Sequence, residues 1–538
     1  MVLALLLATA PVHAPQASPR FEVTIPAAVH AGPVTGRLIV IVAKRAEPEP
    51  RLTVSPSGPA IFGVDLEEQA PGRVAVVDGR ADSYPMTLTE LPPGEYVVQA
   101  LIHRYTKVTR ADGHTIWVPF NDGRVAPFNA APGNLLSEPV TVTIRPGAVI
   151  RLAIARTIPA EPPPTDTEWL KHVTIQSERL TRFWGRPVFV HATVLLPRDY
   201  DRNPDRRYPT LYALGHGVPF QFRTDSVGRN IGQINPVTGV ETGFDFQKAW
   251  RADDFPRLIA VTLEQQTPYF PDSYSINSAN NGPYGDAIVE DVIPELERRF
   301  RMIGRPYARH LEGASTSGWQ SLALQLHYPD HFGGAWVLQP DPIDFRRYQL
   351  VDIYADSNAF SQPLGPFGRF ERPFRRTVEG QVVWTVRELS RFEAVLGSKG
   401  RSGFQLEGWE AVYGPVGPDG YPKALWDKRT GAIDREVAHY MRDQGYDLRA
   451  YAAKHWATLG PKLIGKLHFF SGDMDDFYLN LAVYQFEAFL KQTTNPHYEA
   501  EFTYGRPMKG HSWHAWTWAD LVRQVAATID RAAAGDRR

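Results

Sequence analysis

The chain has 538 residues, 43% hydrophobic and 22% charged, a balance too apolar for disorder and a length that predicts more than one domain. Its 58 basic and 59 acidic residues leave a formal charge of -1. No run of Lys and Arg is present, which argues against nucleic-acid or anionic-membrane partners. Cysteine is absent, which excludes disulfides, thiolate nucleophiles and Cys-based metal sites.

In chain order, the first feature is a short apolar run, Val2 to Ala10, followed by Val12-His13-Ala14. It predicts a secretory signal over residues 1–17 and a secreted or periplasmic protein. The run is too short to span a bilayer, and no other stretch has the ~20 apolar residues of a membrane helix. From residue 20 to 156 short β-runs are broken by Gly and Pro: Gly36 to Val42, Gly94 to Leu101, Val140 to Ile144. These predict an N-terminal antiparallel β-sandwich domain. Residues 157–168, with Pro162-Pro163-Pro164, read as a semi-rigid linker.

From residue 169 to 538 strand-like runs alternate with helical segments, the signature of a mostly parallel sheet with crossover helices. Val188 to Leu196, Thr210 to Leu214, Leu258 to Leu263, Arg309 to Glu312, Ala335 to Leu338 and Leu467 to Phe470 are the predicted strands, with a last one near Glu501 to Tyr504. A helix is expected between Asp286 and Phe300, with Ile288, Val292, Leu296 and Phe300 on one face; Pro294 should kink or split it. An insertion at about 340–465 is expected to form a cap or one wall of a cleft. Its aromatics Phe360, Phe367 and Phe370 are read as pocket or core residues.

The strongest chemical signal is Gly313-Ala314-Ser315-Thr316-Ser317-Gly318-Trp319 between a predicted strand and helix. A serine on such a tight turn is a nucleophile elbow, and small neighbours are needed because the turn is strained. Ser317 stands where glycine is usual. The Thr316 N–H, at a helix start, is one expected oxyanion donor. The second should come from the loop Gly215-His216-Gly217-Val218-Pro219-Phe220, where Gly217 permits close approach and Val218 N–H can donate. His216 precedes the serine and is read as a loop or pocket residue rather than the base; Phe220 and Trp319 are further pocket candidates.

The acid and base should follow the serine in the order Asp, His. Ser471-Gly472-Asp473-Met474-Asp475-Asp476 follows a predicted strand, and the usual offset from glycine favours Asp475 over Asp473 and Asp476. The spacing does not fit an EF-hand calcium loop. Gly510-His511-Ser512-Trp513-His514 supplies the base, His511 before His514. The chemistry so read needs no metal or organic cofactor.

Several blocks together resemble the putative esterase family of α/β hydrolases, which includes esterase D and enterochelin-esterase-like proteins. They are Leu195 to Tyr200, Arg207-Tyr208-Pro209, Gly215-His216-Gly217, Gly282 to Asp286, Gly313 to Trp319, Gly472 to Asp475 and Gly510 to Trp513. The resemblance runs from about Val173 to the C-terminus, leaving the N-terminal domain outside. It implies an α/β-hydrolase doubly wound sheet and a Ser-Asp-His triad, mapping onto Ser315, Asp475 and His511. The expected activity is hydrolysis of a small-molecule or carbohydrate-linked carboxylic ester through an acyl-serine. Acyl transfer by the same residues, or an inactive binding protein, are the alternatives.

Overall fold

The computed structural model describes residues 18–119, 124, 126–215 and 243–536. The N-terminal apolar run and His216, Gly217, Val218 and Phe220 lie outside the described residues. The chain divides into two compact units: residues up to Arg104 with Gly133–Pro159, and Tyr105–Pro132 with Ala160 onward.

The first unit is β-rich, as expected. Its strands join in one continuous nine-stranded sheet. Pairing is antiparallel except between Arg20–Thr24 and Val149–Thr157, which run parallel. The sheet folds over a single core in which Phe21, Leu38, Val40, Phe62, Val98 and Leu152 are buried. Tyr105–Pro132, expected to be part of this domain, groups instead with the second unit. Its hairpin Thr106–Thr109/Thr115–Val118 is fastened there: Trp117 N–H donates to the Tyr421 hydroxyl (2.9 Å) and Arg401 donates to Trp117 O (2.9 Å).

The second unit is built on eight strands: β1 (Leu170–Gln176), β2 (Phe189–Leu195), β3 (Thr210–Ala213), β4 (Ile259–Glu264), β5 (Arg309–Ala314), β6 (Gly334–Leu338), β7 (Leu467–Gly472) and β8 (Ala500–Gly505). Their spatial order is β1-β2-β4-β3-β5-β6-β7-β8. β1, β2 and β4 pair antiparallel, and every pair from β4 to β8 is parallel. Helices cover both faces of the central strands, so β3, β4, β6 and β7 are buried along nearly their whole length. Ala260, Leu338 and Phe470 share a core with α1 (Gly243–Arg251) and with the C-terminal helix Trp518–Asp536, through Phe246, Trp250, Val522 and Val525. Phe469, the next residue along β7, points to the opposite face and meets Phe486 of the helix Asn480–Leu490, their rings 5.4 Å apart.

The predicted 286–300 helix is present as one helical run in three registers: α from Tyr284 to Asp286, π from Ala287 to Val292, α from Ile293 to Arg299. Pro294 has no N–H to give and crowds the carbonyl one turn back. The widened π turn just before it absorbs the clash, so the run is neither split nor stopped. Between β6 and β7 the insertion forms two short hairpins, Ser361–Pro363/Arg369–Glu371 and Pro373–Arg376/Val382–Thr385, and then four helices, of which Gln405–Tyr413 concerns the site. Among its aromatics Phe360 is core, whereas Phe367 is 92% exposed. Among the described residues no helix is long and apolar enough to cross a membrane.

Candidate active site

Ser315 sits between β5 and the helix Thr316–His327, with φ 60° and ψ -121°. A non-glycine residue there costs roughly 1–3 kcal/mol, and flanking contacts hold it. Ser315 N–H donates to Leu338 O (3.0 Å), and Asp341 N–H donates back to Ser315 O (3.1 Å), stitching the turn to the end of β6. A Cβ on Gly313 would fall 2.3 Å from Ser317 O, so only glycine fits. Ser317, the departure from the usual glycine, strengthens the turn. Its hydroxyl donates to Ala314 O (2.7 Å) and accepts from Ala314 N–H (3.1 Å). Thr316 opens the helix, so its N–H is outside the intrahelical ladder.

The three aspartates after β7 all engage the segment bearing His511. Asp473 Oδ1 accepts from Lys509 N–H (2.9 Å), Asp476 Oδ1 accepts from His511 N–H (2.9 Å), and Asp475 Oδ2 meets His511 Nδ1 at 2.7 Å. Asp475 is fully buried, and its Oδ1 accepts the backbone N–H groups of Phe477 (2.9 Å) and Leu479 (3.1 Å). Asp475 is therefore the carboxylate that meets the imidazole, while Asp473 and Asp476 hold backbone N–H groups of the His511 segment. Because an ionised carboxylate only accepts, Nδ1 carries the proton and Nε2 is left as the basic nitrogen. Burial alone would lower the His511 pKa; the charge and hydrogen bond of Asp475, backed by Asp341 and Asp476, outweigh it and hold the pKa above the ordinary histidine value. His514 packs against Trp518 instead, with ring centroids 5.1 Å apart, and burial pushes its pKa down to about 4.

One carboxylate here was not anticipated. Asp341, three residues past the end of β6, is 3% exposed. Its Oδ1 accepts the Ser315 hydroxyl at 3.3 Å. Its Oδ2 accepts from Tyr274 OH (2.6 Å), Thr316 OH (3.1 Å), Trp409 Nε1 (3.2 Å) and Gln405 Nε2 (3.3 Å). Burial pushes the Asp341 carboxyl above its ordinary value, against these hydrogen bonds and the neighbouring His511. Gln405 and Trp409 lie on the insertion helix, so the insertion does wall the site. Trp319, a pocket candidate, is fully buried behind it, its ring 5.5 Å from that of Tyr274. The one sequence sign of Asp341 is its position at the carboxyl end of the strand beside the nucleophile strand, where α/β sheets gather ligand groups.

The strand order, the strained serine at the carboxyl end of β5 and the buried Asp–His pair define a serine esterase of the α/β-hydrolase fold. The chain belongs to the putative esterase family, whose model matches residues 189–527. Among solved structures it is similar to a ferulic acid esterase (16% identity, covering 67% of this chain and 99% of that one, TM-score 0.33). It is likewise similar to the S-formylglutathione hydrolase of Staphylococcus aureus (15%, 67% and 99%, TM-score 0.33) and to fluorophosphonate-binding serine hydrolase F of the same organism (13%, 67% and 98%, TM-score 0.33). No curated protein matches the chain.

Proposed function

We propose that the protein hydrolyses carboxylic esters through an acyl-serine intermediate, with Ser315 as nucleophile, His511 as general base and acid, and Asp475 as the group that orients and stabilises the imidazolium. The observation that carries the reading is the 2.7 Å contact of His511 Nδ1 with a fully buried Asp475. That contact supports a proton on Nδ1 and a basic Nε2. In the proposed reaction Nε2 accepts the Ser315 proton once the hydroxyl turns from Asp341. Oγ then bonds the ester carbon, the imidazolium returns the proton to the departing alcohol, and water repeats the sequence to free the acid. Thr316 N–H, at the helix start, stabilises the oxyanion.

The test is labelling by a fluorophosphonate together with turnover of a small chromogenic ester, in the wild type and in Ser315→Ala. Loss of both in the variant is expected; unchanged turnover would end the assignment. The N-terminal apolar run supports export as a further proposal. Recovery of the expressed chain in the cytoplasm, with its first residues uncleaved, would refute it.

A further inference from the structure

Asp341 has no task in the mechanism just proposed, yet the fold goes to some length to hold it. Four side-chain donors converge on Oδ2. Tyr274 OH itself accepts from Trp409 Nε1 (2.6 Å) and Gln405 Nε2 (2.7 Å), so its own proton is committed to Asp341. The segments that present these groups run through the left-handed region at Tyr274 (φ 62°), Ser275 (φ 51°), Ser315 (φ 60°) and Gln339 (φ 35°). Backbone strain of this kind clusters at active sites and ligand clamps.

Oδ1 is different. Its hydrogen-bond donor among the described residues is the Ser315 hydroxyl, at 3.3 Å. That hydroxyl disappears during the reaction proposed above. When Oγ bonds the acyl carbon, the serine proton leaves through His511 with the alcohol. Oδ1 is then covered by the acyl group and faces an ester oxygen with no hydrogen. An unpaired buried carboxylate oxygen is costly. A substrate that brings a donor of its own to Oδ1 offsets that cost.

Resting on that reading of the site, we infer that Asp341 Oδ1 selects esters whose acyl α-carbon carries a hydroxyl or an ammonium group. Standard bond lengths put a substituent on that carbon about 3 Å from Oγ, within reach of an acceptor beside it. A donor on the α-carbon serves both acylation and deacylation, whereas one on the alcohol departs with it. Sites built to receive a substrate donor discriminate strongly against analogues lacking it, by about 10⁴- to 10⁵-fold at best.

The test compares kcat/KM of the wild type on ethyl lactate, ethyl alaninate and ethyl propionate by pH-stat, with 2-hydroxyethyl propionate as the alcohol-side control. We expect lactate or alaninate to exceed propionate by at least about 100-fold; which of the two leads tells whether the donor is a hydroxyl or an ammonium. Equal rates, or a preference only for the alcohol-side hydroxyl, overturn the inference. In Asp341→Asn the donors on Oδ2 pin the amide oxygen there and turn the NH₂ toward Ser315. The ratio of α-donor ester to propionate should then fall to about 1 or below. A purely structural Asp341 would lower all rates together and leave the ratio intact. The wild-type ratios, each rate taken relative to hydroxide-catalysed hydrolysis of the same ester so that inductive activation cancels, decide the matter even if the variant does not fold. Failure of wild-type Ser315 to label with fluorophosphonate would instead remove the esterase reading and this inference with it.

Discussion

Asp475→Asn separates the chemical role of the acid from its structural one. In the wild type Oδ1 takes the N–H groups of Phe477 (2.9 Å) and Leu479 (3.1 Å), and Oδ2 takes His511 Nδ1 (2.7 Å). An asparagine carbonyl placed at the Oδ1 position keeps both backbone bonds. Its NH₂ then occupies the Oδ2 position and donates to Nδ1. The imidazole must respond by moving its proton to Nε2, the nitrogen that has to receive the serine proton. The expected loss is about 10⁴-fold in kcat, or ~5.5 kcal/mol of barrier, with little change in melting temperature. The acid limb of the kcat/KM profile should also respond. The charge of Asp475 holds the His511 pKa above its ordinary value, and the base must be neutral, so the wild-type limb should lie above pH ~6.5 and move down in the variant. Asp475→Ala, by contrast, strands two buried N–H groups and should destabilise by roughly 2–6 kcal/mol. The assay is ester turnover across pH 5 to 9 beside thermal denaturation. A variant that retains kcat within tenfold and keeps the same limb would refute the role.

Gly313→Ala should be worse for activity than its size suggests, because its Cβ would meet the Ser317 backbone at 2.3 Å, and backbone cannot swing aside. We expect a stability loss of about 1–3 kcal/mol and at least a hundredfold fall in turnover, read by denaturation and ester assay; wild-type values would remove the elbow's steric argument. Glu312, 1% exposed on β5, has its pKa raised from 4.5 to about 8 by burial. Between those values the unfolded chain gives up the proton while the native one keeps it, so stability must fall as pH rises, by at most ~1.4 kcal/mol per unit. Chemical denaturation at pH 5 and pH 8 should show a steeper decline in the wild type than in Glu312→Gln; parallel declines would contradict the shift.

Much of this molecule can be read from its pattern, and what cannot has a physical reason. Central strands such as Ile259–Glu264 open on an apolar run, Ile259-Ala260-Val261, and the elbow, Asp475 and His511 each follow a strand end. Strand β1 is not legible because Leu170–Gln176, at the sheet edge, is only partly buried and its periodicity is weak. The hairpin in Tyr105–Pro132 has a period of two like its neighbours, and period says which face is buried, not which body the strand joins. Asp341 shows the deeper limit. Its partners are Tyr274, Thr316, Gln405 and Trp409. Four segments meet there through turns of positive φ, and no local spacing encodes their meeting.

Ser317 carries that lesson one step further, because its tolerance is decided far upstream in the chain. Its hydroxyl closes the elbow turn, but the extra atoms need space. Gly215, just past the end of β3 with φ 112°, provides it: a Cβ there would lie 2.8 Å from Ser317 Oγ. Two penalties would therefore strike Gly215→Ala, the positive φ and the clash. The first is indifferent to the side chain at position 317; the second vanishes in Ser317→Gly. A double-mutant cycle isolates the clash, since the φ strain appears in both backgrounds and cancels. Gly215→Ala should cost about 0.5–3 kcal/mol more in the wild-type background than in the Ser317→Gly background, measured by urea denaturation. Additive effects would mean that glycine at 215 answers to its backbone angle alone, and that Ser317 is accommodated by the turn itself.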